Sequence, residues 1–142
     1  MSRRRSRSRS LAVQAIYQWQ MAGQDVADIV GHFLAESANE AFDQAYFDEL
    51  VRGVPSRLDA LDKALADCID RKIDAVDPVE RAILRLGAYE LIEHPEIPYR
   101  VVINEAVELA KTFGAEKGHR YVNGVLDKAA RSLRPLEANA RR

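Results

Sequence analysis

The chain has 142 residues, 47% hydrophobic and 30% charged, enough for one domain or two small helical sub-bundles whose core needs no staple. No apolar run approaches the roughly 18 residues of a membrane span, no apolar signal-peptide region follows the basic start, and a single cysteine excludes an intrachain disulfide and a cysteine zinc cluster. The net charge of -1 hides a split: the first ten residues hold five arginines and no acid, so the rest of the chain carries -6. These features lead us to expect a cytoplasmic protein with a basic arm for a polyanion on an acidic body.

Residues 1–10, MSRRRSRSRS, are low in complexity and cannot bury a core, so the expectation is an arm that is disordered or becomes a helical extension on binding. From Leu11 a helical period begins, with Leu11, Ala12, Ala15, Ile16 and Trp19 on one face and Gly23 as its end. Asp25 is a cap for a second helix carrying Val26, Ile29, Val30, Phe33 and Leu34. From Asp25 to Glu49 there are seven acids and no lysine or arginine. A third helix starts near Asp43, buries Tyr46 or Phe47 with Leu50 and Val51, and stops at Gly53 and Pro55.

Ser56 reads as the cap of a fourth helix with a stripe of Leu58, Leu61, Leu65, Cys68 and Ile69. Asp77, Pro78 and Glu80 form a strong start signal for a fifth, apolar nearly all round from Val79 to Glu93 and therefore central. Pro95 and Pro98 bound a connector. Ile103, Ala106, Val107, Ala110 and Phe113 make the sixth stripe, ended by Gly114, and Val122, Val125, Leu126, Ala129 and Leu133 the seventh. A polar tail, 136–142, ends in Arg141 and Arg142. The fold class is all-α with about seven helices. The Pro55–Ser56 turn divides a domain of 11–135 into sub-bundles of about 11–55 and 56–135.

Catalysis finds no constellation. His32, His94 and His119 are scattered, with no second ligand at metal spacing, and His32 reads as a surface residue. Cys68 on an apolar stripe reads as an inert thiol, and Glu105 with Glu108 as a solvated face. No catalytic residue, metal or cofactor is expected. Nucleic-acid binding has more support. Arg3, Arg4, Arg5, Arg7 and Arg9 can fork onto phosphates, and about four contacts to single-stranded RNA give a log–log salt slope of roughly -3. A solubilising tail or a localisation signal remains open for the same residues. Lys117, His119 and Arg120 make a second basic spot at a helix start, beside Tyr121. Tyr121 and Tyr17 are each stacking candidates and packing candidates alike.

Three segments carry a resemblance: RRRSRSRSLAVQAIYQWQ, DPVERAILRLGAYEL and IPYRVVINEAVELAKTFGAEKGHRYVNGVLDKAA. Over roughly Arg3 to Arg134 the sequence resembles the NusB family, the last segment being the most specific. The resemblance implies two helical bundles packed together and binding of boxA-type single-stranded RNA with NusE, a small-subunit ribosomal protein. It further implies promotion of read-through by the transcription elongation complex, notably in ribosomal RNA operons. By position it places Arg3, Arg4, Arg5, Arg7, Arg9, Gln14 and Tyr17 in an RNA-facing first helix, and Lys117, His119, Arg120 and Tyr121 in a second RNA-proximal element. Glu80, Arg81, Arg85 and the connector to Tyr99 fall in the region that meets NusE, where Glu80, exposed as helix-start residues normally are, either pairs with a basic partner residue or serves only the helix dipole. The family allows a homodimer of the free protein.

Where the family usually has Asp-Ser, this chain has Lys117-Gly118, and Gly118 is expected to cap the seventh helix nearly as well. NusB-like domains also precede RNA cytosine methyltransferases, so an accessory module of such an enzyme is the alternative. A chain ending soon after the seventh helix leaves no room for that enzyme's catalytic domain.

Overall fold

Ser2 accepts a hydrogen bond from the backbone N–H of Arg5 (3.2 Å), and from this cap α1 runs unbroken over Arg3–Ala22. The computed structural model describes residues 2–139. Along them follow α2 (Val26–Glu36), α3 (Gln44–Ser56), α4 (Leu58–Ala66), α5 (Pro78–Glu93), α6 (Tyr99–Phe113), α7 (Gly118–Leu133) and α8 (Pro135–Ala138), with one 3-10 turn at Ile73–Ala75. No strand occurs among the described residues, and the all-α expectation holds. The chain divides into two compact units, one ending at Ser56 and one beginning at Arg57.

In the first unit, the arm expected to be disordered or a helical extension on binding is helix, continuous with the rest of α1. Arginine is a good helix former, and Ser8 supplies the tie that composition hides. Its hydroxyl is fully buried, lies 2.9 Å from the Arg4 carbonyl and 2.7 Å from that of Asp43, and accepts from the Asp43 N–H at 2.9 Å. The α2–α3 link is thereby fastened to the first turns of α1. Phe42 and Phe47 meet edge to face beneath that link. Tyr46 and Phe47 are both buried, not one or the other. Asp43 caps α3 by accepting from the Tyr46 N–H at 3.0 Å. The third helix does not stop before Pro55, because its last turn is anchored by the fully buried Val54. Ser56 is not a cap either. Its hydroxyl donates back to the Gly53 carbonyl, and Arg57 takes the cap position of α4 without a side-chain bond.

In the second unit, Asp77 caps α5 as expected, accepting from the N–H groups of Val79 and Glu80. Every residue from Ala82 to Leu91 is buried, because α4, α6 and α7 all pack on this helix. Gly87 permits the α5–α7 approach: a Cβ there would sit 2.8 Å from a methyl of the buried Leu126. Helix α4 ends at Ala66, so Cys68 and Ile69 lie in the turn beyond it. Arg134 closes the far end of the unit. Its buried guanidinium donates to the carbonyls of Glu90, Leu91, His94 and Ile97, and to Glu137. The tail begins as the short helix α8, with Ala138 buried. Arg141 and Arg142 lie outside the described residues.

Candidate nucleic-acid interface

The arginines of α1 separate into two groups. Arg3 and Arg4 are exposed, and Arg5 and Arg7 are partly so. Arg9 is 2% exposed, with its guanidinium 5.4 Å from the Tyr46 ring centroid. Its expected phosphate contact is therefore corrected to a packing role. The helical period explains this, since Arg9 follows Arg5 by one turn and both stems lie along Tyr46. The guanidiniums of Arg4, Arg5 and Arg7 are held at the α2–α3 link and the start of α3. Arg4 donates to the Phe42 carbonyl at 3.0 Å, and Arg5 stacks 4.1 Å over the Tyr46 centroid, 3.9 Å from the Asp43 carboxylate. Arg7 donates to the Glu40 carboxylate at 2.7 Å. The ordered edge is thus Arg4, Arg5 and Arg7, with Arg3 exposed beside it in the first turn of α1. Further along α1, Tyr17 is 38% exposed, whereas Gln14 is half-buried and donates to the Ser10 carbonyl.

The second basic spot lies in the other unit, at the start of α7. Lys117 holds the cap position at φ 69°, a left-handed conformation that costs a lysine about 1–2 kcal/mol. The cap was expected one residue later, at Gly118. That glycine is instead the first helical residue, buried, with the Glu80 carboxylate folded onto it: a Cβ would lie 2.5 Å from Oε2. Lys117 and Arg120 are exposed, and His119 and Tyr121 half-buried. Two residues absent from the sequence reading fix Tyr121. Its hydroxyl donates to Asp70 at 3.5 Å, and the Arg71 guanidinium lies 5.0 Å over its ring. Hydrogen bonding from Arg71 holds the Asp70 carboxyl below the usual carboxylate range, while burial pushes the Tyr121 phenol up, so its proton stays on.

The region expected to meet a protein partner is largely turned inward. Glu80 is 9% exposed rather than open at a helix start, and burial, reinforced by Asp77, raises its pKa. Arg85 is 6% exposed and forks onto Asp62 at 2.9 Å and 2.9 Å, tying α5 to α4. Tyr99 is buried at the start of α6, where its N–H donates to Glu137. Arg85 and Tyr99 are therefore corrected from partner contacts to structural ties. Arg81 stays half-buried; one of its nitrogens donates to the Asp74 carbonyl, and its Nε is buried without a partner among the described residues. No cluster of three or more His, Cys, Asp or Glu suited to a metal occurs among the described residues. No helix there is long and apolar enough to cross a membrane. Cys68 is half-buried and its thiol pKa is raised by burial, which disfavours a nucleophile.

The sequence profile of the NusB family matches residues 6–131. The chain belongs to the NusB family. It is 57% identical to the transcription antitermination protein NusB of Nitrosococcus oceani, covering 99% of this chain and 95% of that one. It is 53% identical to the protein of the same name from Xanthomonas campestris, covering 96% and 86%. Among solved structures, NusB of T. maritima superposes with a TM-score of 0.82 at 29% identity, covering 99% of each chain. A crystal structure of the antitermination factors NusB and NusE with double-stranded RNA gives 0.85 at 28% identity, covering 93% and 99%. The family seen in the sequence is thus confirmed by comparison, and these matches do not favour the methyltransferase alternative.

Proposed function

We propose that this chain is an RNA-binding transcription antitermination factor that takes boxA-type single-stranded RNA together with NusE and promotes read-through, notably in ribosomal RNA operons. The observation that carries the reading is the ordered edge of Arg4, Arg5 and Arg7, with Arg3 exposed beside it, on a link that the buried Ser8 fastens to α1. A pre-folded edge loses little conformational entropy when phosphates arrive, unlike a disordered arm. The second element, Lys117 to Tyr121, adds cations and a fixed ring that prefers unpaired bases. The protein works by binding alone, in the cytoplasm, on the elongation complex. A second copy is the competing occupant of the arginine edge, and sedimentation across concentration with and without RNA checks it. Gel shifts of boxA-like and scrambled RNA, with and without NusE, test the reading. Tighter binding of boxA in the presence of NusE is expected.

Glu40 competes with RNA for Arg7 through the pair described above. Both side chains are about 40% exposed, so the pair itself contributes under about 1 kcal/mol. Glu40→Gln is expected to raise RNA affinity about three-fold in low salt by fluorescence anisotropy. The exposed Glu36→Gln, which removes the same charge from α2, should change it by less. An equal gain from both variants would show a general charge effect instead.

Glu80 is the residue for NusE, and docking requires it to swing away from Gly118. Its raised pKa gives a signed stability prediction. An acid whose folded pKa exceeds its unfolded value loses stability as pH rises through that interval, so ionised Glu80 destabilises the fold at neutral pH. Glu80→Gln should therefore raise Tm at pH 7, and the gain should vanish below the ordinary carboxylate range. The same variant should weaken NusE binding about ten-fold in calorimetric titration. Unchanged NusE affinity would remove Glu80 from the interface.

A further inference from the structure

One side of Tyr121 opens onto a cleft of about 350 Å³ between the turn at residues 68–70 and the face of α7 that carries Arg120, Gly124, Val125 and Lys128. We propose that this cleft receives one unstacked nucleobase of single-stranded RNA, with Arg120 and Lys128 holding the neighbouring phosphates. The proposal rests on the RNA-binding reading above and adds a pocket to it. Four features of the cleft support this occupant.

Its volume lies in the range of pockets that hold small planar ligands, from about 300 Å³ upward. Its aromatic wall is half-buried before any ligand arrives, with Asp70 3.5 Å from the Tyr121 hydroxyl and Arg71, which does not line the cleft, 5.0 Å over the ring. A half-buried ring loses less freedom than an open one when a base stacks on it. Arg120, Gly124 and Lys128 recur every four residues, so they form one stripe of cation, gap and cation along α7. A Cβ built on Gly124 meets nothing within 4 Å, so the gap is open space. Finally, both cations of the stripe are exposed, while Ile69 and Val125 supply an apolar lining. A phosphodiester flanking an apolar planar base matches that chemistry. A duplex does not, because its bases are stacked and their faces covered.

The test uses the full-length protein and boxA-like single-stranded RNA in which one base at a time is replaced by an abasic site. Wild type should lose about ten-fold in affinity at one position. Gly124→Leu, which fills the gap and favours helix, should bind intact RNA about ten-fold more weakly and show no further loss at that position. Lys128→Ala should weaken binding and make the salt slope shallower by about 0.7. Cys68, the sole cysteine and a lining residue, gives a readout that needs no variant: saturating RNA should slow its alkylation several-fold. Wild-type binding with an unchanged alkylation rate, or an abasic penalty equal in both proteins, overturns the pocket and leaves the functional reading standing. Absence of any RNA binding by wild type overturns both.

Discussion

Replacing Arg134 by alanine is expected to lower the unfolding free energy by about 3–5 kcal/mol, a large share of the roughly 5–15 kcal/mol a domain of this kind possesses. The guanidinium is buried and donates to four carbonyls from the end of α5 and the connector after it. The Glu90 and His94 carbonyls also accept from the backbone N–H groups of His94 and Ile97, whereas the residue that would reach the Leu91 carbonyl is Pro95, which has no N–H. Removing the arginine takes the donor from the Leu91 and Ile97 carbonyls, at about 1–3 kcal/mol each. It also cuts the tie to α8 through Glu137. Chemical denaturation monitored by circular dichroism measures the loss. Arg134→Lys should recover only part of it, because an ammonium cannot fork across carbonyls spaced around a plane. A loss below about 1 kcal/mol would mean that water replaces the guanidinium at this site.

The second large effect concerns RNA. Changing Arg3, Arg4, Arg5 and Arg7 together to alanine should weaken boxA RNA binding by two to three orders of magnitude near 0.1 M salt. The log–log salt slope should fall by about 3, at about 0.7 per lost phosphate contact. Arg9 is left out because it is buried beside Tyr46. Helix content should change little, since alanine is the strongest helix former and Ser8 still fastens the α2–α3 link. Arg9→Ala alone should do the reverse. It should lower stability through lost packing on Tyr46 and leave the salt slope nearly unchanged.

Much of this architecture can be read from the residues because helix signals are local. Asp77-Pro78 writes the start of α5, and apolar residues on all its sides state that it is central. The misreadings of the arm, Glu80 and Arg85 share one cause, which is contact between residues distant in sequence. Nothing in SRRRSRSRS reveals that Ser8 meets Asp43 thirty-five residues away, so the segment reads as an arm. Glu80 has the sequence position of an exposed first-turn acid. Its burial follows from a glycine at 118, where the missing side chain leaves room for a carboxylate. Arg85 looks like a partner contact until Asp62 takes both of its prongs. The candidate site was half legible. Charge density marked the arginines and the Lys117–Tyr121 spot, but Asp70, Arg71 and Lys128 carry no local pattern that joins them to Tyr121.

The most direct measurement is an anisotropy titration of labelled boxA-like RNA with the wild-type protein across a salt series, with NusE absent and then present. Saturable binding without NusE at low salt is expected, with a log–log slope of about -3 or steeper, to which Arg3, Arg4, Arg5 and Arg7 contribute about 0.7 each, and tighter binding when NusE is added. No binding at the lowest salt even with NusE, or an affinity indifferent to salt, would contradict this expectation.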